Sequence, residues 1–288
     1  MDIYDARVIR DTLRPLGFSF SKARGQNFLT DPEVPRRMAG HVAELAKRYG
    51  APPAVLEIGP GFGALTGPLL EAADLLVAVE VDRRLAAVLE HRYVQRENFT
   101  LLCADALKLD LDGLARERFS GHVPLVAANL PYSVTSPMLE AMVRAGSYRA
   151  MVLMIQREVA QRLCADPGTA DYGSFTVFVR VFCECERLFD VPPDAFVPRP
   201  AVSSSVIRLI RRDAPLIGPE RQELFFKIVR ASFAQRRKTL RNALAAAWPS
   251  LGPDGVARRL HGAGVDPGVR GETLGVEEFS RVCREFLN

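Results

Sequence analysis

The sequence predicts an α/β fold: a mostly parallel, Rossmann-like sheet with an antiparallel edge, followed by a small all-helical domain. Three observations predict it. Short apolar runs alternate with helical segments between residues 54 and 156, a glycine-rich loop joins the first run to a helix, and strand-like runs cease after about residue 214.

In chain order, "AVLEIG", "LLVAVE", "TLLCAD", "PLVAANL" and "AMVLMIQ" read as strands. "RRLAAVLEHRYV" and "SPMLEAMVRA" read as helices between them. Strands that are apolar almost throughout belong to a sheet covered on both faces. Next, "SFTVFVRVFCECERLFDV" and "SSSVIRLIRR" read as two long strands split by the proline-rich "PPDAFVPRPAV". No helical period separates them, so they are expected to add antiparallel to the sheet edge. Then "PERQELFFKIVRASFAQ", "RRKTLRNALAAAW", "DGVARRLHGAG" and "VEEFSRVCREFL" carry helical periods punctuated by Gly and Pro. The expected domains are 1–213 and 214–288.

Composition places the chain among ordinary globular proteins: 48% hydrophobic and 25% charged, with a net charge of +4 that is compatible with a polyanionic partner. Five cysteines form no CxxC pair and no zinc-ligand spacing, so no metal is expected, and their odd number points to a reducing, cytoplasmic setting. The N-terminus has Asp2, Asp5 and Asp11 and no apolar core of a signal peptide. No stretch is long and apolar enough for a membrane span, and no seam suggests a dimer.

The loop "VLEIGPGFGALT" carries Gly59, Gly61 and Ala64 in the G-x-G-x-x-G/A pattern, and Glu80 ends the next strand 21 residues after Gly59. Glycines let the backbone turn tightly and approach a ligand, and a carboxylate can take both hydroxyls of a ribose. The pattern therefore indicates a nucleoside cofactor without choosing between a nicotinamide dinucleotide and S-adenosyl-L-methionine. Glu57 before the glycines, Asp105 at the third strand's end and "NLPY" at the fourth's favour S-adenosyl-L-methionine. Read alone, Asn129 is a good helix cap and Tyr132 an ordinary core ring.

Together these motifs resemble the adenine-dimethylating ribosomal RNA methyltransferases, in their bacterial small-subunit branch. The resemblance rests on "GQNFLTDP", "EIGPGFGALT", "VEVD", "ADAL", "NLPY", "FVPRPAVSSSV", "FAQRRKTLRNAL" and "GVDPGVRGETL" in that order, from about Lys22 to the last helix. It implies a class I methyltransferase sheet and S-adenosyl-L-methionine as cofactor, contacted by Asn27, Leu29, Gly59, Gly61, Glu80, Asp105 and Asn129. It also implies a target adenine whose amine meets Asn129 and Leu130, whose ring stacks between Tyr132 and Phe196, and whose pocket is aimed by Pro131. Arg236, Arg237, Lys238 and Arg241, expected within two helical turns, would neutralise phosphates. The implied substrate is two adjacent adenosines near the 3′ end of 16S rRNA, within the 30S subunit or its precursor, acted on by a monomer. Alternatives are a resistance-type enzyme acting on 23S rRNA, an assembly factor that works mainly by binding, and an NAD-linked oxidoreductase. Residues before Lys22 receive no role beyond a mobile arm that orders on binding.

Overall fold

The computed structural model describes residues 2–18 and 27–287; Lys22 and the first two residues of "GQNFLTDP" lie outside the described residues. The chain forms α1 (Ala6–Leu13), β1 (Phe28–Leu29), α2 (Glu33–Tyr49), β2 (Pro53–Ile58), α3 (Thr66–Ala72), β3 (Leu75–Glu80) and α4 (Arg83–Tyr93). It continues with β4 (Phe99–Cys103), α5 (Leu111–Arg118), β5 (Val123–Asn129), α6 (Thr135–Arg144), β6 (Ala150–Gln156) and α7 (Arg157–Cys164). Then come α8 (Ser174–Phe182), β7 (Cys183–Val191), β8 (Phe196–Val197) and β9 (Ser204–Arg211), followed by α9 (Pro219–Ala234), α10 (Leu240–Ala247), α11 (Gly252–Gly262) and α12 (Val276–Leu287).

The main sheet has strand order β4-β3-β2-β5-β6-β9-β7, and β1 pairs with β8 in a separate two-stranded sheet. The pairs β2/β3, β3/β4, β2/β5 and β5/β6 are parallel, and β9 runs antiparallel to β6. The strand pattern explains this order. All six residues of β2 are buried and β6 is buried from Ala150 to Ile155, as strands covered on both faces must be. Helix boundaries follow local chemistry: Asp82 caps α4 by accepting from Arg84 N, Asp110 caps α5 by accepting from Gly113 N, and Gly50 ends α2 in the left-handed region at φ 63°.

The chain divides into two compact units, one running through Ala160 and including Glu186–Arg211, the other made of Gln161–Cys185 and the chain from Arg212 on. The expected division at residue 213 therefore misses the transfer of residues 161–185 to the second unit. The cause is α8. "SFTVFVRVF" is rich in β-branched and aromatic residues and reads as a strand, yet it forms a helix. Its buried residues Val177, Phe178, Val181 and Phe182 recur with helical spacing; Phe178 packs tilted against Phe226 of α9 and Phe182 stacks on it, with centroids 5.5 and 6.1 Å away. Burial on a helical face outweighs strand propensity here. Only "CECERLFDV" remains extended, as β7.

In the first unit, Leu29, Val34, Met38, Val55, Leu69, Leu125, Val152, Phe196 and Val206 share one core. A separate cluster joins Ile9, Leu13 and Phe18 to Phe28, Phe62, Leu85 and Val197. Among the described residues no helix is long and apolar enough to cross a membrane.

Candidate active site

β2 and β5 end side by side, with Ile58 opposite Ala128. From β2 the chain proceeds outward through β3 and β4, then returns to β5 and β6 on the other side, so the strand order reverses between β2 and β5. Open α/β sheets bind ligands in the crevice at such a point. A cavity of about 530 Å³ lies there, lined by Asn27, Leu29, Gly59, Gly61, Glu80, Asp105, Asn129, Leu130, Pro131, Tyr132 and Phe196. These are all the cofactor and catalytic positions expected from the sequence.

The glycine loop forms one wall. Gly59, Gly61 and Gly63 have φ of 66°, 60° and 90°. At Gly63 space as well as conformation demands glycine, because a Cβ would lie 2.9 Å from Leu89 Cδ2. Glu80 is tied to this loop: its Oε2 accepts from Gly61 N at 3.0 Å and its Oε1 from Asp82 N at 2.9 Å. A carboxylate offers about four acceptor positions, so the two backbone bonds leave capacity facing the cavity. Burial raises the Glu80 pKa, and the N–H groups of Asp82 and Gly61 oppose that shift. Asp105 is likewise held, accepting from Leu107 N at 3.1 Å, with Lys108 Nζ 3.7 Å from its other oxygen.

Beneath the glycines sits Glu57, 1% exposed. Its Oε2 has no hydrogen-bond partner among the described residues, nor have the buried Thr66 Oγ1 and Arg92 Nη2. Burial pushes the Glu57 carboxyl up to about 8, and the Glu80 charge pushes the same way. Arg92 donates to Phe62 O and lies 4.4 Å from the Phe62 ring centroid, bracing the loop from behind. Buried polar atoms without protein partners mark positions that water or a ligand satisfies.

The opposite wall begins where β5 ends. Asn129 faces Met154 in register, and Leu130 N donates to Met154 O at 3.0 Å, so the strand is held one residue past Asn129. Thr135 Oγ1 and Val134 N both donate to Pro131 O at 3.1 Å, closing the short turn Tyr132–Val134. The Tyr132 hydroxyl lies 2.9 Å from Ser204 Oγ on β9. Phe196 enters through the β1–β8 pairing, in which Leu29 opposes Phe196.

Sequence reasoning missed two features. Val81 and Leu107, 66% and 40% exposed, line the cavity one residue after Glu80 and two residues after Asp105. Solvent-exposed apolar residues at those offsets are the signal that could have found them. The second is the N-terminal segment. Residues 2–18, expected as a mobile arm, include a helix capped by Asp5 whose Ile9 and Leu13 pack with Phe28 and Phe62. Tyr4 Oη donates to Ala64 O of the glycine loop at 2.9 Å, and Arg84 Nη1 donates to Gly17 O at 2.9 Å.

Arg236, Arg237, Lys238 and Arg241 belong to the second unit and are all exposed. They do not share a helix as expected: residues 235–239 form the turn between α9 and α10, and only Arg241 is helical. Thr239 explains the break, since its side chain caps α10 by accepting from Asn242 N at 3.4 Å. Arg236 already has structural work, donating to Ala170 O at 3.2 Å and Tyr172 O at 2.8 Å.

Residues 17–286 match the ribosomal RNA adenine dimethylase family. The chain is 42% identical over 290 residues to the ribosomal RNA small subunit methyltransferase A of Bacillus cytotoxicus, covering 99% of this chain and 98% of that one. The protein of the same description from a Geobacillus species is 43% identical over 283 residues, with coverages of 97% and 96%. Among solved structures, the 23S rRNA methyltransferase ErmE superposes with a TM-score of 0.68 at 27% identity, covering 91% of this chain and all of that one. A dimethyladenosine transferase from Plasmodium falciparum shares the fold, with a TM-score of 0.74 at 23% identity and coverages of 90% and 97%.

Proposed function

The chain belongs to the ribosomal RNA adenine dimethylase family, and from that premise we propose that it dimethylates two adjacent adenosines near the 3′ end of 16S rRNA during small-subunit biogenesis. The methyl donor is S-adenosyl-L-methionine, and the substrate is the 30S particle or its precursor. The observation that carries this reading is the β2–β5 pairing, which sets the glycine loop beside Asn129 and Tyr132 on one cavity.

The residues present fit the cofactor. Positive-φ glycines leave a cradle without side chains, Glu80 keeps acceptor capacity toward a ribose, and Asp105 can accept from an adenine amine. When bound, S-adenosyl-L-methionine supplies an already activated methyl group. The protein's part is positioning and electrostatics. The target amine is a poor nucleophile because its lone pair is delocalised into the ring. Asn129 Oδ1 and a backbone carbonyl near Leu130 accept hydrogen bonds from its two N–H groups, favouring a pyramidal nitrogen with a free lone pair. Tyr132 and Phe196 hold the extruded base between their faces, offsetting the loss of stacking in RNA. Pro131 limits the backbone that aims both groups.

The turn at Arg236–Lys238 and the first turn of α10 contribute phosphate contacts without sequence information. The protein works as a cytoplasmic monomer. The likeness to ErmE keeps a large-subunit substrate as the second reading, while the small-subunit relatives at 42–43% identity favour the first.

Transfer of labelled methyl to 30S particles lacking the modification, alongside 50S particles, tests the proposal. Dimethyladenosine in small-subunit RNA, lost in Asn129→Ala, is the expected result. Label only in large-subunit RNA makes the substrate assignment wrong. Tight binding of immature particles without any transfer makes the protein an assembly factor.

A further inference from the structure

We infer that Ser204 is a positioning residue for methyl transfer, acting through the Tyr132 hydroxyl to fix the ring that holds the target base. The inference rests on the reading of the cavity given above and extends it to a residue that does not line the cavity.

Tyr132 is placed at two ends. At its backbone, Pro131 precedes it and the bonds to Pro131 O from Val134 N and Thr135 Oγ1 close the turn that it opens. A tyrosine anchored only there can swing about its first side-chain torsion, which carries the whole ring and its oxygen through an arc. The far end supplies the missing constraint: the phenol oxygen lies 2.9 Å from Ser204 Oγ, across 72 residues of sequence.

Ser204 is a rigid anchor. It is 0% exposed and pairs with Gln156 in the β6–β9 ladder, which Arg157 N extends by donating to Ser203 O at 2.9 Å. The next residue, Ser205, is equally buried but uses its hydroxyl elsewhere, donating to Asp190 Oδ1 at 2.6 Å. Alternation along a strand sends the two hydroxyls to opposite faces. Two adjacent buried serines thus serve different partners, and only Ser204 meets a ring on the cavity wall. Burial also raises the Tyr132 pKa, keeping the phenol neutral and able to bond to the serine.

The bond matters for rate more than for affinity. A base held by a ring that wavers is still bound, but it is misplaced relative to the Asn129 and Leu130 acceptors, and misplacement on the order of 1 Å can lower a rate about a hundredfold. Removing one neutral hydrogen bond should misplace the ring only part of the time.

The test is a double-mutant cycle on single-turnover methyl transfer to 30S particles, with cofactor affinity and thermal melts measured on each variant. Tyr132→Phe and Ser204→Ala should each slow transfer about tenfold with cofactor affinity unchanged. The double variant should be no slower than either single one. Ser205→Ala serves as the control, losing stability with transfer rate retained. Should Ser204→Ala fail to fold, Tyr132→Phe still reads the same bond from its other end. Wild-type rates in Ser204→Ala or Tyr132→Phe, or losses that multiply in the double variant, overturn the inference while leaving the reading of the cavity intact. A wild-type protein that transfers nothing to small-subunit RNA overturns both.

Discussion

The two walls of the cavity are built in different ways. On the wall proposed to hold the cofactor, Glu80 is held by Gly61 N and Asp82 N, and Asp105 by Leu107 N, all by backbone groups within about 20 residues. On the wall proposed to hold the base, Tyr132 is held by a serine 72 residues away and Phe196 by pairing with β1, whose Leu29 is still further in sequence. One wall is assembled by local chain chemistry; the other exists only once distant strands have paired. A wall of the first kind tolerates changes elsewhere in the fold, and a wall of the second kind transmits them.

The contrast is broken most sharply at Asn129, where the walls meet. Asn129→Ala should lower the transfer rate about 10²–10³-fold, the range seen when one preorganised polar group is removed from a reacting centre. Cofactor affinity, followed by calorimetry, should fall far less. Comparable losses in both would mean that the residue belongs to the cofactor wall.

Glu57 should make the cofactor wall the source of a pH-dependent stability. Its carboxyl titrates near 8 when folded, against about 4.5 otherwise, because burial favours the protonated form. Stability from this group is therefore complete below pH 4.5, declines as pH rises through 8, and levels off above. The loss amounts to roughly 5 kcal/mol. Glu57→Gln should flatten the melting temperature between pH 5 and 9, whereas Tyr132→Phe should leave the slope unchanged over that range.

A smaller effect is expected at Glu80. Glu80→Ala strands the Gly61 and Asp82 N–H groups as well as removing the acceptor proposed for the ribose, and should weaken cofactor binding by about 10–100-fold. Binding that survives intact would show that the carboxylate serves the loop alone. Smallest is the contrast within the basic turn. Arg237→Ala should reduce the salt dependence of RNA binding by about one phosphate, with melting unchanged. Arg236→Ala should in addition lower stability by about 1 kcal/mol, since it releases the carbonyls of Ala170 and Tyr172.

The same division explains what could be read from the sequence. The glycine spacing, Glu80 and Asp105 are legible because their geometry is local, and apolar runs such as "AMVLMIQ" announce buried strands. The long-range contacts carry no such mark. Nothing around Ser204 names Tyr132 as its partner, and α8 looks like a strand because the helix is selected by Phe226, some fifty residues on. The basic turn misleads for the opposite reason: a run of good helix formers is interrupted by one threonine that prefers to cap.

The docking of α1 carries a thermodynamic corollary. Tyr4 holds the carbonyl of Ala64, and Ile9 and Leu13 share a cluster with Phe28 and Phe62, which themselves line the cavity. Whatever seats itself against that loop therefore shares a free energy with the helix, and linkage runs equally in both directions. Saturating the cavity should shield the first residues from proteolysis by the factor through which trimming them weakens the ligand. The beginning of the chain thus reports on occupancy from the far side of the wall.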